Sequence, residues 1–175
     1  MRAIFLILCS VLLNGCLGMP ESVKPVSDFE LNNYLGKWYE VARLDHSFEK
    51  GLSQVTAEYR VRNDGGILVL NRGYSEEKGE WKEAEGKAYF VNGSTDGYLK
   101  VSFFGPFYGS YVVFELDREN YSYAFVSGPN TEYLWLLSRT PTVERGILDK
   151  FIEMSKERGF DTNRLLSRSG CSCCV

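Results

Sequence analysis

The side chains equipped for chemistry are few and scattered. The chain has one histidine, His46. An imidazole can serve as a general base, yet no Gly-x-Ser-x-Gly string supplies a nucleophile for it and no metal-ligand spacing surrounds it. It reads as a solvated loop residue. Glu40 is the most notable acid, because it shares strand parity with Trp38 and so points to the enclosed side, where burial without a partner would raise its pKa. A nearby arginine such as Arg43 or Arg72, or the backbone, is its expected partner. The cysteines are Cys9, Cys16, Cys171, Cys173 and Cys174. The Cys-x-Cys-Cys group at the end could hold soft metal only with a fourth ligand, so the expectation is no metal, no cofactor and no enzyme.

Cys16 belongs to a different chemistry. Arg2 is the only charge before Glu21, Ile4 to Leu13 is apolar apart from Ser10, and Leu13-Asn14-Gly15-Cys16 closes the run. That is a secretory signal, too short to span a membrane. Leu-x-Gly-Cys resembles the lipobox of bacterial lipoproteins, which implies cleavage before Cys16 and acylation of its new N-terminus, with Asn14 a less usual occupant of its position. An ordinary signal peptide with an incidental Cys16 is the alternative. Two or more acyl chains would make anchoring stable where one would not. In that resemblance Leu17, rather than Asp, after the cysteine favours the outer membrane. With Cys9 removed and Cys16 acylated, three thiols remain, so at most one internal disulfide can form and one sulfur is left over.

Removal of residues 1–15 leaves one domain's worth of chain and, as Arg2 leaves, takes the formal charge from −3 to −4. Basic residues are dispersed and outnumbered, which argues against nucleic acid. Residues 17–25, with Pro20 and Pro25, read as a tether. Beyond it, Val55, Ala57, Tyr59 and Val61 alternate with polar neighbours, as do Ala84, Gly86, Ala88 and Phe90, and Leu99, Val101 and Phe103. Such alternation predicts strands with one dry face, and turn signals recur about every eight to twelve residues, as in an antiparallel sandwich or barrel. The small residues on the dry face leave space for a guest, unless large residues opposite fill it. Trp38 to Leu44 and Tyr133 to Leu137 are apolar on both parities, so both of their faces must be covered. The cover is a helix over Thr142 to Arg158, with Val143, Ile147 and Phe151 or Ile152 at helical spacing and Gly159 as its stop.

Gly36-x-Trp38, Gly128-Pro129 before the last strand and Arg139 match the lipocalin pattern, and residues 36–141 are most similar to the bacterial outer-membrane lipocalins, relatives of apolipoprotein D and plant temperature-induced lipocalins. Trp38-Tyr39-Glu40-Val41-Ala42-Arg43, Val101 through Gly109, and Ser138-Arg139-Thr140-Pro141 carry the similarity. Cys171, Cys173 and Cys174 depart from it. The resemblance implies an all-β, eight-stranded antiparallel up-and-down barrel with one C-terminal flanking helix. Gly36, Trp38 and Arg139 would close one end, an arginine–indole stack contributing about 0.5 to 2 kcal/mol. The expected organisation is signal 1–15, lipidated tether 16–27, barrel and helix 28–168 and Cys-rich tail 169–175.

The same resemblance implies a membrane-anchored protein that stores or transports fatty acids, lysophospholipids or related amphiphiles during envelope stress, held at the outer membrane through acylated Cys16. A structural lipoprotein with a filled barrel and a lipid-modifying enzyme are the alternatives, and a homodimer is left open. The expected lining is Val55, Ala57, Tyr59, Val69, Ala88, Phe90, Leu99, Val101, Phe103, Tyr111, Val113 and Trp135, with Tyr59, Tyr111 and Trp135 able to meet a polar head group. At the opposite rim, Phe48, Phe107 and Tyr108 are expected to contact membrane, or Phe107 to fold back as a lid.

Overall fold

A computed structural model describes residues 17–167, so Cys9, Cys16, Cys171, Cys173 and Cys174 lie outside the described residues. Eight antiparallel strands follow one another in a meander: β1 (Gly36–Leu44), β2 (Leu52–Val61), β3 (Ile67–Ser75), β4 (Glu80–Phe90), β5 (Tyr98–Phe104), β6 (Phe107–Leu116), β7 (Tyr123–Ser127) and β8 (Leu134–Ser138). β1 pairs with both β2 and β8, which closes the sheet and removes its free edges. A short helix α1 (Leu31–Tyr34) precedes the barrel, helix α2 (Arg145–Glu157) flanks it, and β9 (Leu165–Ser167) adds to β1 on the edge opposite β8, beyond the pairing with β2.

Two cores follow from the strand periodicity. Inside lie Trp38, Ala57, Tyr59, Ile67, Val69, Ala88, Leu99, Val113, Val126 and Leu137, with Phe29 and Tyr34 entering from the closed end. Outside, Ala42, Leu44, Val112, Phe114, Phe125, Leu134 and Leu136 meet Phe151 of α2. The Phe151 ring stands edge-on to Phe125 at 5.0 Å and is fully buried, a burial that stabilises by about 1.5 to 3 kcal/mol. The helix thus covers β6 and β7 as well as the seam strands.

Four particulars differ from the sequence reading. The double-sided apolar pattern of β1 has a second cause besides the helix: a bulge between Glu40 and Ala42 shifts the strand by one residue. Trp38 lies inside, Ala42 outside. Val61 is 59% exposed, because the β1–β2 ladder ends at Gly36↔Tyr59 and leaves the end of β2 uncovered. Ala84 is exposed for a related reason, as β4 pairs with β5 only from Lys87 onward. The expected tether is bound down: Gly18 N donates to Ser110 Oγ, Val26 N to Val113 O, and Gly97 N to Val26 O, while Val23 and Val26 are buried.

Candidate functional site

One end of the barrel is sealed by residues from four segments. The Arg139 guanidinium lies 3.9 Å from the Trp38 ring centroid and donates to the carbonyls of Asn33, Lys37 and Tyr121. The Trp38 indole N–H donates to Tyr34 O at 2.8 Å. Gly36 adopts φ +88°, a conformation that β-carbons disfavour, at the point where the chain leaves α1 for β1. Burial lowers the Arg139 pKa somewhat, against the raising influence of Tyr34 and Tyr59.

Above this seal, three tyrosines form a hydroxyl chain. Tyr111 Oη lies 2.7 Å from Tyr34 Oη and 2.8 Å from Tyr59 Oη. Burial pushes all three phenols up, so they remain neutral donors and acceptors. The hydroxyls of Tyr59 and Tyr111 are therefore partnered within the protein, and so is the Trp135 indole, which donates to Glu49 Oε2 at 3.1 Å.

The expected lining residues come together, with one qualification. Ala57, Tyr59, Val69, Ala88, Leu99 and Val113 are buried in the inner core, and Phe90, Val101, Phe103, Tyr111 and Trp135 pack against it while only half-buried. Val55 is also buried, beside Gly73. Some of the space read into small residues is already filled: a β-carbon on Gly86 would come within 2.8 Å of the Phe103 ring, and one on Gly73 within 3.2 Å of Leu52 and Val55. Toward the rim, Val101, Phe103 and Trp135 keep part of their surface open although they point inward.

The mouth carries an ionic network that sequence reasoning only half found. Glu40 takes Arg43, not Arg72, as its partner: Nη1 donates to Oε1 at 2.5 Å. The β1 bulge explains why two residues three apart both face inward. Arg43 Nη2 also donates to the carbonyls of Glu49 and Leu52, fixing the β1–β2 loop. His46 is not solvated. It is 9% exposed, its Nε2 lies 3.1 Å from Glu49 Oε2, and its ring packs 5.0 Å from Trp135 and 5.3 Å from Tyr133. Burial pushes the Glu40 carboxyl well above its ordinary range; the neighbouring Glu49 adds to this and Arg43 opposes it. Burial acts in the same direction on Glu49, but His46, Trp135 and Arg43 outweigh it and hold that carboxyl low. Within the described residues no group of three or more His, Cys, Asp or Glu side chains is placed to hold a metal ion.

Around the mouth, Phe48, Phe104 and Phe107 are 66%, 74% and 72% exposed. Phe107 is turned to solvent and does not fold back as a lid. Tyr108 is placed differently from its expected partners: it is half-buried on the outer wall, its ring 5.2 Å from Lys100 Nζ and 5.9 Å from Lys87 Nζ.

A closed eight-stranded meander with an arginine–tryptophan seal, a flanking helix and an inward apolar wall defines a lipocalin. A family model described as a lipocalin-like domain matches residues 29–169, and the chain belongs to that family. It is 98% identical over 166 residues to the outer membrane lipoprotein Blc of Vibrio cholerae serotype O1, covering 95% of this chain and 97% of that protein. To the protein of the same name from Escherichia coli K12 it is 50% identical over 147 residues, 84% of this chain and 82% of the other. The outer-membrane localisation expected from sequence is the one these relatives carry in their names. Among solved structures, insecticyanin from the tobacco hornworm Manduca sexta shares the fold at 22% identity, with a TM-score of 0.67 over 86% of this chain and 87% of that one.

Proposed function

We propose that this lipocalin is a membrane-anchored carrier that takes the hydrocarbon chain of a fatty acid, lysophospholipid or similar amphiphile into its barrel, the anchor being acylated Cys16. The supporting observation is the inward wall toward the mouth: Val101, Phe103 and Trp135 face the interior yet stay half-open, whereas Phe29, Tyr34 and Trp38 at the closed end are buried. An interior apolar surface left accessible is a place where a guest removes it from water, each buried methylene contributing about 0.8 kcal/mol. Ten or more methylenes would offset ordering costs and still reach the about −8 kcal/mol of micromolar binding. With the phenols partnered internally, the polar groups nearest an entering head group are those of the Glu40, Arg43, His46 and Glu49 network.

Non-enzymatic carriage fits the single buried histidine and its engagement with Glu49. Mass spectrometry of lipid extracted from protein purified out of native membranes tests the reading. Stoichiometric single-chain lipid is expected; a persistently empty protein would favour a filled structural barrel, and lipid turnover abolished by Glu40→Gln would favour an enzyme.

A further inference from the structure

The described chain starts at the same end of the barrel as the open mouth. The chain begins its described course at Leu17, and Gly18 N is fixed to Ser110 Oγ on the outer wall of β6. Ser110 is three residues from Phe107, about 10 Å along a strand. Independently, Met19, Pro20, Glu21 and Ser22 face Pro129, Asn130 and Thr131 of the β7–β8 loop across an open cleft of about 570 Å³, and that loop also belongs to the mouth. From Gly18 the strap then descends the wall, through Val26 paired with Val113, to Phe29 at the closed end.

Cys16 is two residues from Gly18, a reach of at most about 7 Å. Acyl chains on Cys16 would thus be joined to the bound strap by only two residues of chain. On that side of the rim, Leu17, Phe104 and Phe107 are 43%, 74% and 72% exposed, and Phe48 adds a fourth exposed apolar side chain from the β1–β2 loop. Aromatic and aliphatic side chains clustered in this way suit the interfacial zone of a bilayer. Glu76 and Glu77, exposed in the β3–β4 turn of the same rim, limit the depth, since carboxylates are excluded from hydrocarbon.

We infer that the barrel docks mouth-down on the phospholipid bilayer that holds its own acyl chains, with Leu17, Phe104 and Phe107 in the interfacial layer and the Trp38–Arg139 end facing away. The inference rests on the acylation of Cys16. Lipid would then pass between bilayer and cavity along a short apolar path rather than through water.

Mature acylated protein in phosphatidylethanolamine–phosphatidylglycerol vesicles containing brominated acyl chains tests this. F107W places a reporter at the mouth and N92W one at the closed end; both sites are exposed. The emission added by F107W over wild type should be quenched by about half, as for a ring at interfacial depth, and that added by N92W left unchanged. If the protein sediments with the vesicles but F107W is quenched no more than N92W, docking is overturned while anchoring stands. If the wild-type protein does not sediment with vesicles, the anchoring reading falls and the docking inference falls with it.

Discussion

Arg139 covers the indole of Trp38 at 3.9 Å while its guanidinium donates to Asn33 O, Lys37 O and Tyr121 O, so one side chain joins α1, the start of β1 and the β6–β7 turn. Removing it would uncover the ring and leave several carbonyls without their charged donor. Arg139→Ala should lower unfolding free energy by about 2 to 4 kcal/mol in urea denaturation. Because the seal is remote from the mouth, the lipids recovered with the variant should match those of wild type; a changed lipid profile would mean that the closed end takes part in selection.

The tyrosine chain is a second stability element. Tyr111→Phe removes the hydroxyl that meets both Tyr34 and Tyr59 and leaves two buried hydroxyls to find other partners. A loss of about 1 to 3 kcal/mol is expected in the same denaturation assay. An unchanged midpoint would show that water replaces the missing group without cost.

The parts legible in the sequence were those with a period or a stereotyped chemistry. Alternation revealed the strands, the Val143, Ile147 and Phe151 spacing revealed the helix, and the Trp38 and Arg139 strings revealed the closure. What stayed hidden depended on register. The bulge after Glu40 adds one residue without changing composition, and it turns Arg43 inward. His46 looked exposed because a turn-like stretch says nothing of which aromatic rings fold over it. The strap from Gly18 to Phe29 is held largely by backbone bonds, which any side chains could accompany, and β9 has too few residues to show alternation.

Filling the half-open wall should separate a cavity from a packed core. Val101→Trp adds bulk at an inward position near the mouth. Where space exists, the variant should retain its thermal midpoint and lose about tenfold or more in affinity for a fluorescent fatty acid, the equivalent of about 1.4 kcal/mol. If instead the interior is full, overpacking should destabilise by about 1 to 3 kcal/mol and leave lipid content unaltered.

The mouth network makes a prediction about pH whose sign differs between its two carboxylates. Burial, with Glu49 nearby, raises Glu40 above its unfolded range despite Arg43. The folded state therefore holds that proton more tightly, and the associated stability is complete below the unfolded value of about 4.3 and lost as pH rises through the folded one. Glu49 is held low by His46, Trp135 and Arg43 in spite of its burial, so its contribution is present above the unfolded value and lost as pH falls. Denaturation midpoints for Glu40→Gln should thus improve relative to wild type as pH rises from about 4 toward 8, whereas those for Glu49→Gln should fall behind wild type as pH rises toward the unfolded value of about 4.3 and stay behind by a constant margin above it. The amide keeps the shape of each side chain, so the informative quantity is the change in the difference with pH rather than its absolute size. Parallel profiles for wild type and Glu40→Gln would mean that its ion pair with Arg43 fully cancels the effect of burial.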